Sequence, residues 1–486
     1  MDISILSPEG ALNQALTHIN DYMWTYLLIG MLLLCALFFT IRTRFVQFRM
    51  LGHMCRLLVE GTPKKGQKQV SSFQAFAISV ATRVGTGNLA GVATAIAVGG
   101  PGAVFWMWLI ALLGAATAFV ESTLAQLFKV RGKHSFIGGP AFYMQLGLKK
   151  KWMGQIFAVL ITLTFGLSFN SIQSNTICAS MQNAFNFDPI LVGIILVILA
   201  SLIVFGGIHR IARVSGVIVP VMAIGYFILA FWVVASNFTR IPDVMSLIFS
   251  SAFGFRQAAG GAVGAAMMNG IKRGLFSNEA GEGSAPNAAA TAATSHPVKQ
   301  GLIQALGVFT YTILVCSCTA FIILFSGLGG ESGLNGVALT QSALEVEIGA
   351  AGPAFVAIAI LFFAFSSIIG NYYYGEANIL FLTRNKTVMT IYRIFSAGVM
   401  VIFGALASLD LAWSLGDVFM ALMTLCNLIA IILLCRYVFL LLDDYQKQRK
   451  AGIKSPVFRK SNLKGVDTSG ISCWDEEMAQ EFEKQQ

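Results

Sequence analysis

Apolar runs of about 20 residues recur along this chain, and about 20 helical residues is the length that crosses ~30 Å of hydrocarbon. Eleven such spans are read, at 23–40, 72–97, 101–128, 153–173, 189–206, 214–236, 257–270, 300–327, 353–383, 388–408 and 416–442. The ten-residue alternation of a membrane barrel is absent from them. Only 12% of the 486 residues are charged, against about 25% in soluble domains. The class expected is an all-α polytopic membrane protein with 11 transmembrane helices.

The net charge of +10 suggests a nucleic-acid partner until the charges are placed. With the N-terminus outside, the inside segments and their edges hold 30 of the 33 Lys and Arg, leaving Arg83, Arg240 and Arg256. That bias is the positive-inside rule. It predicts an outside N-terminus, a cytoplasmic C-terminus and no nucleic acid. Residues 1–22 lack the basic region of a cleavable signal, so 23–40 reads as a retained helix. The eight cysteines form no CxxC pair and read as small hydrophobes. The five histidines fall in loops or near helix ends and outline no metal or catalytic cluster. GxSxG, HExxH and P-loop patterns are absent, so no enzyme is expected. A channel would call for a filter or charged ring repeated by symmetry, which the sequence does not offer.

Residues 1–22 form an outside segment, 23–40 a peripheral helix and 41–71 a basic cytoplasmic loop. Two five-helix sets follow, 72–236 and 257–442, then a weakly ordered cytoplasmic tail at 443–486. Five is odd, so the sets insert in opposite senses, as in the inverted repeats of secondary transporters. Each set opens on a span interrupted by small residues: Val84-Gly85-Thr86-Gly87-Asn88 in the first, Gly260-Gly261-Ala262-Val263-Gly264 and Asn269-Gly270 in the second. Unwound backbone in hydrocarbon survives only where it lines a cavity or meets a ligand. A restarted half-helix favours a carboxylate and freed carbonyls favour a cation. Close helix packing through small residues is the competing explanation.

The stretch Gly99-Gly100-Pro101-Gly102-Ala103-Val104-Phe105-Trp106-Met107-Trp108 resembles the signature of the alanine or glycine:cation symporter family, of the LeuT-type fold. Blocks at 84–94, at 273–284 and at Tyr373-Tyr374-Gly375-Glu376 agree with it. The resemblance implies sodium as coupling ion, a small neutral amino acid as substrate, no cofactor, and a 5+5 inverted repeat preceded by one helix. It implies a monomer in the bacterial inner (plasma) membrane. By the V-G-x-G-N run, Gly85, Thr86, Gly87 and Asn88 would meet the substrate carboxylate, with Asn88 also near a cation. Ser366 and Ser367 would bind sodium with the carbonyls of Ala81 and Val84; back-bonding to their own helix is the competing reading. Gln173, with Asn170 and Asn175, forms an amide cluster at the outer end of its span that suits substrate contact or helix pairing. Met267 and Met268 would wall the side-chain pocket, or simply pack. Asn371 stands where the family pattern carries Trp, which would enlarge the pocket and admit serine or glutamine beside alanine and glycine.

Ionisable residues within spans are functional candidates. Arg83, Glu121, Glu279 and Glu376 are assigned to a gate or vestibule, Glu121 as a partner of Arg83, a vestibule residue or a proton relay. Ser277-Asn278-Glu279 is read as a helix start. Coupling to protons through Glu121 or Glu376 is the alternative to sodium.

Overall fold

A computed structural model of the chain describes residues 11–60, 70–132, 135–254, 260–329 and 332–483. Residues 1–10 of the N-terminal segment, Lys64, Lys65 and Lys68 of the basic loop, Lys133, His134, Arg256, residues 257–259 of the seventh span and Lys484 lie outside the described residues.

The order is α1 (Gln14–Arg42), α2 (Leu51–Val59), α3 (Ser72–Arg83), α4 (Gly87–Gly99), α5 (Ala103–Leu127), α6 (Lys151–Phe185), α7 (Pro189–Val204), α8 (Gly207–Ser236) and α9 (Ile241–Ala252). Then come α10 (Gly260–Asn278), α11 (Ala285–Ala289), α12 (Pro297–Ser326), α13 (Gly336–Ile348), α14 (Ala351–Leu382), α15 (Lys386–Leu406), α16 (Leu409–Lys450) and α17 (Glu476–Glu483). A two-stranded hairpin, β1 (Val130–Arg131) against β2 (Phe136–Ile137), follows α5. Side-chain caps start several helices: Ser71 and Gln74 form a capping box on α3, and Asp188, Asn385 and Ser408 cap α7, α15 and α16.

By length and apolarity, seven helices among the described residues can cross a membrane, or eight if the pair bent by 73° between Ile224–Ser236 and Phe238–Ala252 is one span. The protein is a multi-pass helical membrane protein. Length alone therefore gives seven or eight spans where hydropathy suggested eleven. The reason is local: 72–97 is split into α3 and α4, α7 has 16 residues, and α10 carries Lys272 and Arg273.

Four expectations change. The helix read as peripheral at 23–40 begins by Gln14 and is tied to the bundle by polar side chains. Asn20 Nδ2 donates to the Ser414 carbonyl at 3.0 Å and Trp24 Nε1 to that of Asp417 at 3.3 Å, which holds α1 against α16. The second break is not at Gly260–Gly264 or Asn269-Gly270, because α10 runs unbroken to Asn278. Two of its glycines serve close packing: a Cβ on Gly270 would lie 2.3 Å from the Ala103 carbonyl, and one on Gly274 2.7 Å from Ile110 Cγ2, while one on Gly261 or Gly264 would meet nothing within 4 Å. Lys272 and Arg273 are buried in that helix rather than held in an inside loop.

The tail is the fourth. Residues 456–479 fold onto one end of the bundle, burying Phe458, Ile471, Cys473 and Trp474. Phe458 N donates to the Ser295 carbonyl (2.9 Å), Ser295 Oγ to that of Pro456 (2.8 Å) and Trp474 Nε1 to that of Gln126 (3.0 Å). Lys129, just beyond α5, lies under the faces of Phe136 and Trp474, at 4.1 and 4.7 Å, and donates to Gln126 Oε1 and the Ala292 carbonyl. Burial pushes its amine down from 10.5 to about 7.

Candidate functional site

The first break is three residues long. Val84 N makes the last bond of α3, to the Val80 carbonyl at 2.8 Å, and its backbone then leaves the helix at φ −93°, ψ 81°. Gly85 N donates to Asn88 Oδ1 at 3.1 Å, and Thr86 N to Gln173 Oε1, also at 3.1 Å. Side-chain amides thus replace the lost helical acceptors. Gly85 has no alternative: a Cβ there would lie 2.3 Å from Ser367 Oγ and 2.9 Å from Gln173 Oε1. Asn88 is pinned from the other side, Nδ2 donating to Ser277 Oγ at 2.9 Å and facing the Tyr311 carbonyl at 3.4 Å. The Thr86 hydroxyl is buried with no hydrogen-bond partner among the described residues. Gly85, Thr86, Gly87, Asn88 and Gln173 therefore share one buried locus.

Ser367 Oγ donates to the Ala81 carbonyl at 2.8 Å, while Ser366 Oγ is 3.4 Å from that oxygen and 2.8 Å from the Phe363 carbonyl of its own helix. The competing back-bonding thus holds for Ser366 and only partly for Ser367, which also faces Phe363 O at 3.1 Å. Two hydroxyls and the freed Ala81 carbonyl form an all-oxygen group, the donor chemistry a hard cation prefers. Val84 adjoins it at the end of α3.

The amide cluster splits by role. Gln173 meets the break, whereas Asn170 bonds Ser396 Oγ and Asn175 bonds the Gly404 and Ala407 carbonyls, pairing α6 with α15. Gln173 is not at a helix end either, since α6 continues to Phe185. Asn371, one turn after Ser367 on α14, is 1% exposed, and neither its Oδ1 nor its Nδ2 has a partner among the described residues.

Met268 is not turned to the break: its Sδ faces Thr25 of α1 at 3.7 Å. The residues of α10 that reach it are Phe276 and Ser277, over two turns further on. A Cβ on Gly87 would lie 2.6 Å from the Phe276 ring. Phe276 in turn stacks edge-on with Phe169 (4.6 Å) and Trp413 (4.8 Å). The sequence signal for these was present in Gly274-Leu275-Phe276-Ser277 itself, within the block at 273–284, but the misplaced second break hid it.

That break lies at 279–284, where Glu279, Gly281 and Gly283 take φ of +56°, +96° and +82°. Ser277 and Asn278 end a helix rather than start one, and the next begins at Ala285. Glu121 does not pair with Arg83. Its carboxylate accepts from Gly281 N (3.2 Å), Gly283 N (3.1 Å) and Asn427 Nδ2 (2.8 Å), so it stands in for the helical acceptors this turn has lost. Asn427 also donates to the Gly281 carbonyl at 2.9 Å and accepts from Tyr143. Arg83 faces Glu279 at 3.9 Å and donates to Gln304, while Glu279 accepts from Ser284 Oγ at 2.6 Å. Glu376 is apart from both breaks, bonded to Arg393 at 2.8 Å. Asn427, Tyr143 and Gln304 were not foreseen; Asn427 and Gln304, polar residues inside apolar spans, were visible as candidates, whereas Tyr143 lies between two spans.

A multi-pass helical bundle that interrupts two of its helices and lines the interruptions with buried amides, hydroxyls and carboxylates belongs to the class of membrane transporters, not of enzymes. Comparison with known proteins bears this out and narrows it. The chain matches the sodium:alanine symporter family over residues 9–460 and belongs to that family. It is 54% identical to the Bacillus subtilis (strain 168) protein named "Probable sodium/glutamine symporter GlnT", over 95% of this chain and 97% of that one. It is 50% identical to the amino-acid carrier protein AlsT of the same organism, over 96% and 99%. It is 38% identical to the sodium/proton-dependent alanine carrier protein of Bacillus sp. (strain PS3), over 87% and 99%. The chain is a sodium-coupled amino-acid symporter.

Proposed function

We propose that this transporter imports a small neutral amino acid with sodium by alternating access, and that glutamine is within its range along with alanine, glycine and serine. The observation that carries the reading is the first break: within one buried locus, Ser366, Ser367 and the Ala81 carbonyl form an oxygen group for sodium, beside the Thr86 hydroxyl and the Gln173 and Asn88 amides. Asn371 supports the wider range, because its free amide edges match those of a carboxamide substrate and its side chain is far smaller than Trp. Eleven spans in a 5+5 inverted repeat, an outside N-terminus, a cytoplasmic C-terminus, the bacterial plasma membrane and a monomer complete the proposal. Sodium drives transport only by favouring the substrate-competent state.

Uptake into proteoliposomes tests it. Replacing sodium by choline at fixed pH is expected to abolish uptake, and unlabelled glutamine, alanine, glycine and serine to compete with one another. Unchanged uptake without sodium refutes the coupling; competition by alanine and glycine alone refutes the range. One observation favours proton coupling as a second reading: Glu282 is fully buried, with neither carboxylate oxygen partnered among the described residues. A pH gradient without sodium would then drive uptake.

A further inference from the structure

Beside the first break lies a group of charges whose donors and acceptors do not match. Arg273 donates from Nη2 to Asp417 Oδ2 at 2.7 Å, and Lys272 Nζ lies 4.0 Å from the same oxygen. None of the three side chains is more than 7% exposed. Two cations lean on one carboxylate oxygen, and aromatic faces take up part of the excess. Trp413 lies 4.0 Å from the Arg273 guanidinium and Trp24 5.4 Å from the Lys272 ammonium. Four polar atoms remain without a hydrogen-bond partner among the described residues: Arg273 Nε and Nη1, Trp413 Nε1 and Asp417 Oδ1. Buried polar atoms are normally paired, so four together mark a place for something else.

Three donors and one acceptor outline an α-amino acid. Its carboxylate takes the indole N–H and one free guanidinium N–H, Nε and Nη1 lying to either side of the Nη2 that Asp417 holds; its ammonium needs an oxygen. A free anion would serve the donors and leave Asp417 Oδ1 repelled. The group also adjoins the break: a Cβ on Gly91 would be 3.8 Å from Trp413 Cη2, 4.0 Å from Arg273 Cδ and 3.8 Å from the Thr86 carbonyl. Phe276, stacked on Trp413 and set against Gly87, separates the two places.

We infer that Arg273, Trp413 and Asp417 form a second station for the amino-acid zwitterion, on the outer side of the break and one step before it. The inference rests on the substrate reading given above.

Trp413→Phe keeps the ring and deletes the N–H; Arg273→Lys keeps the charge and deletes the free guanidinium N–H groups. In proteoliposomes at saturating sodium, each is expected to raise the half-saturating L-glutamine concentration about tenfold, the loss of one charge-assisted bond. Maximal rate and sodium half-saturation stay within about twofold, because the inner site keeps all its groups. L-alaninamide, which lacks the carboxylate, inhibits wild type and both variants equally. Unchanged half-saturation in both variants overturns the inference, as does a fall in maximal rate alone. Replacing chloride by gluconate leaves wild-type uptake unaltered; a chloride requirement assigns the station to a free anion and likewise overturns it. On the wild-type chain, where no variant need fold, radiolabelled L-glutamine saturates at two molecules per chain in nanodiscs, and one overturns the inference. Asn88→Ala separates the two readings: normal uptake by that variant sinks the account of the break itself, whatever the station variants do.

Discussion

The two breaks solve the same problem with opposite chemistry. At 84–86 the lost helical partners are replaced by neutral groups, Gln173 and Asn88, and one hydroxyl, that of Thr86, is left over. At 279–284 the replacement is a carboxylate, Glu121, which accepts three bonds, and the amide donor of Asn427 that closes on it also reaches the turn's own carbonyl. Neutral amides exchange one partner for another at small cost, because a typical hydrogen bond contributes only about 1 kcal/mol net. A buried carboxylate deprived of its donors is far more costly. The first break is thus suited to trading partners with a ligand, and the second to keeping its shape while what surrounds it moves.

Breaking the second should therefore cost stability, and altering the first should cost transport. Glu121→Ala leaves Gly281 N–H and Gly283 N–H unpaired and takes one of Asn427's partners, and is expected to destabilise the protein by about 1–3 kcal/mol for each unsatisfied group; thermal melting in detergent measures it, and a melt like wild type would erase the contrast. Gly85→Ala is expected to lower uptake at least ~100-fold, by displacing Ser367 and Gln173 from positions a Cβ would occupy, while overpacking costs about 1–3 kcal/mol of stability. Ser367→Ala removes one oxygen of the cation group. It should raise the sodium half-saturation about tenfold, a loss of roughly 1.4 kcal/mol, with uptake recovered at high sodium. Asn371→Trp should narrow competition towards glycine and alanine, and an unchanged competition profile would refute the role given to that position. An effect on stability alone lies away from both breaks, at Lys129. Its amine titrates at about 7 when folded and at 10.5 otherwise, so between those values the unfolded chain binds the extra proton. Stability from this residue accordingly rises with pH across that window. Lys129→Met should flatten that part of the melting-temperature profile; an equal slope in both proteins shows the residue plays no part.

Composition and charge made the membrane class legible, and Gly85-Thr86-Gly87 made the first break legible, because two glycines concentrate the cost of helix interruption within three residues. The second was misread because α10 is rich in small residues for another reason, its close approach to α5 at Gly270 and Gly274. Gly281-Glu282-Gly283 carried the better signal, glycines where φ is positive, but its meaning depended on Glu121 from a helix 160 residues away in the chain. Counting Lys272 and Arg273 towards topology hid them similarly, since their partner Asp417 is 144 residues from Arg273. The tail was taken for an appendage from its polarity; Phe458 and Trp474, 5.3 Å apart ring to ring, were the residues that argued otherwise.

That folded tail ties together ends that a moving transporter would otherwise separate. Its Trp474 is bonded to the end of α5, its Phe458 to the approach to α12, and Val457 is bonded on both sides to Gln448 at the end of α16. Any swing of α16 away from the other two would first have to unpick this stitch, a restraint held by a segment that belongs to none of the helices long and apolar enough to cross a membrane.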